Sequence, residues 1–239
     1  MSRSALKLHT PAGRKALDKL MHEAQRKAEA LAETKTAKPG KSPAARPAAA
    51  KKAAAGSGEI RIIGGQWRRK RLPVAQRPGL RPTPDRVRET LFNWLGQDLA
   101  GWKCVDAFAG TGALGFEAAS RGAASVLMNE LDAGLQQQLQ RLQQQLQAGM
   151  VKLQRGDALS CLKSCSGQDL VLLDPPFGQA ELFEPALKAA AEAINEDGYI
   201  YLEAPEAWDD GRLQAFGLSV YRYLKAGAVH AHLLRRQKN

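Results

Sequence analysis

The stretch that constrains this chain most is VDAFAGTGALG, residues 105–115, in which an apolar run meets Asp106 and then three glycines, Gly110, Gly112 and Gly115, spaced G-x-G-x-x-G. A strand that turns through such a loop into a helix marks a nucleotide-binding α/β fold. In this reading the missing side chains of Gly110 and Gly112 let a ligand approach the backbone, and Gly115 lets the helix pack tightly.

The residues beyond the loop repeat the same alternation. Apolar runs at 104–109, 125–130, 150–155, 169–174 and 198–203 predict strands, and 113–121, 133–148, 158–164 and 181–195 predict helices. The glutamine-rich segment GLQQQLQRLQQQLQ is no exception. Leu135, Leu139, Leu142 and Leu146 recur at helical spacing and form one apolar stripe. Strand–helix alternation implies a parallel sheet covered by helices. LSVYRY and VHAHLL, joined by LKAGA, then predict an antiparallel hairpin at the edge of the sheet, which a dinucleotide fold does not need. Upstream, EIRIIGGQWRRKRLPV predicts two short strands around a Gly64-Gly65 turn. RPTPDRVRETLFNWL predicts a helix capped by Thr83 or Asp85, with Val87, Leu91, Phe92 and Leu95 on one face.

Charge divides the chain. Residues 1–58 hold 13 Lys and Arg against 4 acids, residues 59–95 hold 9 against 3, and residues 96–239 hold 13 against 17. A basic front on a nearly neutral body points to a polyanion such as nucleic acid. Residues 35–58 are rich in Ala, Lys and Pro and are expected to stay disordered. Before them, apolar residues between Leu17 and Leu31 fall at helical spacing. Three segments follow: a basic tail (1–58), a hairpin and helix facing the polyanion (59–95), and the α/β domain (96–239). No run of about 18 apolar residues suggests a membrane span. The start has no signal-peptide core, and its acids, Asp18, Glu23, Glu29 and Glu33, are unlike a transit peptide. A cytoplasmic protein is expected. Cys104, Cys161 and Cys165 form neither a disulfide framework nor a zinc set, and no metal is expected.

The residues around the glycines choose the ligand. Asp106 would repel a pyrophosphate but would suit the ammonium and sulfonium of S-adenosylmethionine, directly or through water; alternatively it only fixes the loop. Glu130 ends the second strand, where a carboxylate accepts both ribose hydroxyls. Asp157 could accept from the adenine amino group, with the Ala158 N–H nearby, or it could simply cap its helix.

DLVLLDPPFG, residues 169–178, names the acceptor. Its strand delivers Asp174, Pro175, Pro176 and Phe177 to the carboxyl edge of the sheet. Prolines stiffen the turn and leave carbonyls to face a cleft. Asp174 and the Pro175 carbonyl can accept both hydrogens of an exocyclic amine, and Phe177 can stack on the base. The amine nitrogen then attacks a sulfonium methyl, and a neutral thioether leaves. His9, His22, His230 and His232 lie outside every motif, and this chemistry needs none of them. A base paired in a duplex must first be extruded.

IRIIGGQWRRKRL, GLRPTPDRVRETLFNWL, VDAFAGTGALGFEAASRGA and DPPF together resemble the 16S rRNA guanine-N2 methyltransferase family of RsmD type, over residues 59–239. The resemblance implies a class I S-adenosylmethionine-dependent methyltransferase fold: Rossmann-like, with a mostly parallel seven-stranded sheet and an antiparallel C-terminal hairpin, preceded by a small N-terminal β-hairpin and helix. It implies S-adenosylmethionine as donor, and as substrate the 16S rRNA of the small ribosomal subunit or its assembly intermediate. It assigns cofactor roles to Asp106, Phe108, Gly110, Gly112, Glu130 and Asp157, and the amine site to Asp174, Pro175, Pro176 and Phe177. Arg81, Thr83 and Arg86 are expected near the cleft. Arg61, Arg68, Arg69, Lys70 and Arg71, with Arg81 and Arg86, are expected on rRNA, the first five against phosphates. Where the family commonly has a glycine between basic residues, this chain reads WRRKRL. The tail of residues 1–58 lies outside the resemblance. A monomer is expected.

Three other readings compete. A NAD-dependent dehydrogenase accounts for the glycines and Glu130 but not for Asp106, DPPF or the basic front. An adenine-N6 methyltransferase acting on RNA or DNA, or on another amine such as a protein glutamine, more often carries N-P-P-Y. A non-catalytic rRNA-binding assembly factor would have no need of intact motifs.

Overall fold

Each apolar run ends at a polar or glycine-rich corner, and in the computed structural model, which describes residues 58–73 and 83–237, those corners fall at the ends of one sheet. Its strands are β3 (Lys103–Asp106), β4 (Ser125–Glu130), β5 (Val151–Arg155), β6 (Gln168–Leu173), β7 (Ile194–Ala204), β8 (Leu218–Ala226) and β9 (Val229–Arg236), in the order β5-β4-β3-β6-β7-β9-β8. The first five are parallel, and β8 and β9 run antiparallel at one edge. This is the mostly parallel seven-stranded arrangement expected. A separate antiparallel pair, β1 (Glu59–Arg61) and β2 (Arg71–Pro73), precedes it. The helices are α1 (Asp85–Trp94), α2 (Ala113–Ser120), α3 (Ala133–Leu146), α4 (Ala158–Lys163), α5 (Phe183–Ala193) and the short α6 (Asp210–Leu213).

Two apolar layers flank the sheet. One gathers Cys104, Leu170, Leu172 and Tyr201 with α1, α2 and the leucines of α3, and the other gathers Val105, Val171, Leu173 and Leu202 with α4 and α5. Alternate residues of each strand therefore serve opposite layers, as the period of two requires. The leucine stripe of α3 is buried at all four positions. In α1, Val87, Leu91, Phe92 and Leu95 are buried as their spacing predicts. All eight residues of α2 are buried, because Ile60, Ile62, Trp67 and Leu72 of the N-terminal hairpin share its apolar layer. The described residues form one compact unit. The basic tail and the apolar spacing at 17–31 lie outside the described residues.

Local predictions needed four corrections. Neither Thr83 nor Asp85 caps α1; Pro84 occupies the N-cap, with no side-chain cap bond. The first hairpin does not turn at Gly64-Gly65 alone. Its loop runs from Ile62 to Lys70, closed by Ile62 N–H to Lys70 O (2.9 Å) and Arg69 N–H to Ile62 O (2.8 Å). Strand β7 starts at Ile194, cutting the helix expected at 181–195 short at Ala193. The terminal hairpin turns tightly, with Ala226 paired to Val229 across Gly227 and Ala228.

Candidate active site

At the carboxyl edge of the sheet the strand ends surround one cleft of about 720 Å³. Asp106 enters it from β3, Glu130 from β4 and Glu203 from β7; Asp174 follows β6, and Asp157 precedes α4. The chain reaches this edge at loops separated by whole crossover helices, so the sheet alone brings these acids together.

The glycine loop is braced from below. Gly110 and Gly112 both have positive φ (51° and 82°), and Gly112 occupies the N-cap of α2. A Cβ on Gly112 would lie 2.7 Å from Leu139 and Phe116, so its bareness serves the protein's own packing rather than a ligand's approach. A Cβ on Gly115 would lie 2.8 Å from Met128, as tight helix packing predicts. Asp106 Oδ2 accepts the Gly115 N–H at 2.9 Å. The Asp106 carboxyl is 1% exposed. Burial pushes its pKa up to about 7; the Gly115 amide opposes this and the neighbouring Glu130 adds to it. Glu130 Oε2 accepts the Gly110 N–H at 2.8 Å. Phe108 lines the same cleft.

Asp157 does cap its helix, accepting the Ser160 N–H at 2.7 Å, and it lines the cleft beside Ala158. Capping and ligand contact are compatible for a two-oxygen side chain.

The proline corner borders the same cleft as the glycine loop. Asp174, Pro175, Pro176 and Phe177 all line the cleft; Pro175 is buried and Phe177 is 37% exposed. The Pro176 carbonyl accepts the Gln179 N–H at 3.0 Å. Thr83 Oγ1 lies 3.5 Å from Asp174 Oδ2, a long contact. Burial raises the Asp174 pKa well above the usual carboxylate range; the charges of Glu203 and Asp106 add to this, and the Thr83 hydroxyl works against it.

Two cleft residues escaped the sequence reading. Glu203, 2% exposed, accepts the Tyr201 O–H at 2.9 Å. Asn129 donates through Nδ2 to Ala107 O (3.2 Å) and Gly156 O (3.0 Å), tying two cleft loops together. Its buried Oδ1 has no partner among the described residues. The only local signal was a polar residue inside each apolar strand, LMNE and YLEA.

The expected RNA contacts divide between two places. Arg61 pairs with Asp85 at 3.0 Å, at the start of α1 beside the cleft-lining Pro84, and Arg86 is exposed on the same turn. Arg68, Arg69 and Lys70 are exposed on the loop that docks at the far end of α2, where the Trp67 N–H meets Ser120 Oγ at 2.9 Å. Arg71 pairs with Glu59 at 3.5 Å. Arg81 lies outside the described residues. The loop is anchored by Glu117, fully buried on α2, which accepts the amides of Ile63 (2.8 Å) and Gly64 (2.7 Å) and pairs with Arg121 (2.9 Å) and Arg88 (3.4 Å). The sequence reading missed this anchor as well.

Comparison with known proteins places this geometry. Residues 60–235 match the family model described as conserved hypothetical protein 95. The ribosomal RNA small subunit methyltransferase D of Escherichia coli is 41% identical over 179 residues, covering 70% of this chain and 90% of the relative. That of Haemophilus influenzae is 40% identical over 180 residues, covering 69% and 93%. Among solved structures, yhhF of Escherichia coli superimposes with a TM-score of 0.65 at 36% identity, covering 75% of this chain and 99% of its own. With the family model spanning the whole described sheet and its cleft, the chain is a member of the conserved hypothetical protein 95 family, the family of ribosomal RNA small subunit methyltransferase D.

Proposed function

We propose that this protein transfers a methyl group from S-adenosylmethionine to the exocyclic N2 amine of a guanine in small-subunit ribosomal RNA. One observation carries the reading. Asp106, the glycine loop, Glu130 and Asp174 converge on a single cleft in a chain 41% identical to ribosomal RNA small subunit methyltransferase D.

The residues present suit the donor. A cleft bordered by Asp106, Glu130, Asp174 and Glu203 favours a cation, and the unpartnered Oδ1 of Asn129 offers an acceptor in its wall. When bound, the donor supplies a methyl group on a positively charged sulfur. Glu130 receives the ribose hydroxyls. Asp106 faces the ammonium, directly or through water, and Asp157 with the Ala158 amide holds the adenine. Gly110 and Gly112 shape the loop, with Phe108 beside it.

Asp174 and the Pro175 carbonyl accept the two amine hydrogens. This turns the nitrogen lone pair, otherwise shared with the ring, toward the methyl carbon. Phe177 stacks on the base, and the stiff turn through Pro175 and Pro176 holds the acceptors in place. Positioning of this kind supplies several kcal/mol of a barrier, on the order of 5. Asp174 then takes the proton that the nitrogen must shed.

Arg61, Arg68, Arg69, Lys70, Arg71, Arg81 and Arg86 bind RNA, mainly through phosphates, so affinity falls steeply with salt. The tail of residues 1–58 tethers RNA without sequence preference, residues 59–95 face the RNA, and residues 96–239 carry the chemistry. The protein acts as a monomer in the cytoplasm on 16S rRNA in the small subunit or its assembly intermediate.

The test is nucleoside mass spectrometry of small-subunit rRNA from cells lacking the protein. N2-methylguanosine is expected to fall, to return with the wild-type gene, and to stay low with Asp174→Ala. Loss of N6-methyladenosine instead supports the adenine reading. Full rescue of growth and assembly by Asp174→Ala supports a non-catalytic assembly factor.

A further inference from the structure

Three carboxylates gather in the cleft at the ends of three adjacent strands, β3, β6 and β7. Asp106 on β3 pairs in register with Leu172 on β6, and Leu172 pairs with Tyr201 on β7. Side chains alternate along a strand, so Glu203, two residues past Tyr201, shares the face of Asp106, and Asp174, the residue that follows β6, lines the same cleft. Asp174 and Glu203 each follow a residue of Leu173–Leu202, the last pair of the β6–β7 ladder, and the charge of Glu203 acts on Asp174. Glu203 is held there by the Tyr201 hydroxyl at 2.9 Å.

We propose that Glu203, fixed by Tyr201, is a positioning residue that keeps Asp174 able to take the amine proton, an inference that rests on the methyl-transfer reading above. In the step concerned, an N–H bond breaks and an O–H bond forms on Asp174. The electron pair of the N–H bond stays on nitrogen, and nothing is oxidised or reduced. An ordinary aspartate is a feeble proton acceptor. A second carboxylate at the neighbouring strand end makes ionised Asp174 hungrier for a proton through like-charge repulsion. The other groups packed around Asp174 do not cancel this effect. Asp106 on β3 adds negative charge. From the start of α1, the Thr83 hydroxyl is 3.5 Å away, and the Arg88 guanidinium is committed to Asp85 and Glu117. On β9 the residue in register with Glu203 is the uncharged Ala231, while His232, in register with Leu202, serves the opposite face; burial pushes its pKa down to about 4, so it is neutral, and its Nε2 accepts the Trp208 N–H at 3.0 Å.

The test uses the full chain without donor or RNA, carrying carboxyl-labelled aspartate, titrated by carbon-13 NMR. Asp174→Asn identifies the Asp174 signal by its disappearance. In Glu203→Gln the Asp174 midpoint is expected to fall by about one pH unit or more. Glu203→Asp keeps the charge and is expected to recover most of that fall. Tyr201→Phe removes a bond that favours ionised Glu203 and is expected to give a smaller fall; if Glu203→Gln fails to fold, this variant decides. In turnover assays on rRNA, the acid limb of kcat is expected to move with the NMR midpoint while KM stays within about twofold. A midpoint unmoved in both Glu203→Gln and Tyr201→Phe overturns the proposal, as does a kcat loss equal at every pH. A wild-type protein that titrates as expected yet methylates no ribosomal RNA overturns the functional reading, and the catalytic role of Glu203 falls with it.

Discussion

Glu130 Oε2 accepts the Gly110 amide at 2.8 Å, so the acid at the end of one strand holds closed the loop that follows its neighbour. Its Oε1 accepts the Asp132 amide at 2.8 Å. Both oxygens thus have partners before a ribose arrives, and the carboxylate is pre-oriented. Glu130→Ala removes the brace and the proposed ribose acceptor together. Hydrogen bonds to a charged group contribute about 1.5–3 kcal/mol each. S-adenosylmethionine affinity measured by isothermal titration calorimetry is expected to fall about 10- to 100-fold, with the fold intact by circular dichroism.

Asp106 gives the site a pH dependence whose sign differs for stability and for binding. Its pKa is raised from 3.8 to about 7 on folding. The stability it contributes is fully present below about pH 4 and is lost as pH rises to about 7, because the buried carboxyl must then ionise. Asp174, raised for the same first cause, acts in the same direction. Thermal melts of the protein without donor are expected to decline across that window, and Asp106→Asn to flatten the decline. A cationic donor favours the ionised form, so its affinity is expected to climb with pH up to about 7 and level off above. Calorimetry from pH 5.5 to 8.5 checks this, and an affinity independent of pH would contradict the assigned partner of Asp106.

Arg69 has a φ of 70°, a left-handed conformation in the segment where the family's pattern commonly has a glycine. A side chain there costs about 1 kcal/mol. Arg69→Gly is expected to raise stability by roughly 0.5–1 kcal/mol. It should also remove one phosphate contact, flattening the salt dependence of rRNA affinity by about 0.7–0.9 in log–log slope. Denaturant unfolding reads the first effect and salt-titrated RNA binding the second.

Glu117 couples the basic loop to the helix that begins at the glycine turn. Its removal leaves Arg88 and Arg121 without their buried counter-charge and two amides without an acceptor. Breaking a buried ion pair from one side costs about 3–5 kcal/mol. Glu117→Ala is expected to lower the Tm by about 10 °C, with Glu117→Gln losing less. Melting by calorimetry checks both, and an unchanged Tm would mean that the hairpin is held by its apolar side chains alone.

The strands, the crossover helices, the leucine stripe of α3, the glycine turn and the proline corner could all be read from the sequence, because each is written in contiguous residues whose spacing matches a strand or helix period. The tertiary structure alone decided what those pieces hold. Glu117 meets Ile63 across 54 residues, and Thr83 meets Asp174 across 91. Glu203 reaches the cleft only because β7 lies beside β6 in a particular register. Gly112, which looked like room for a ligand, is bare because Leu139 from another helix fills the space. Periodicity is local and survives in a string of residues, whereas register and burial belong to strands brought together from far apart, so a lone Glu in an apolar run gives no hint of its partner until the sheet has closed.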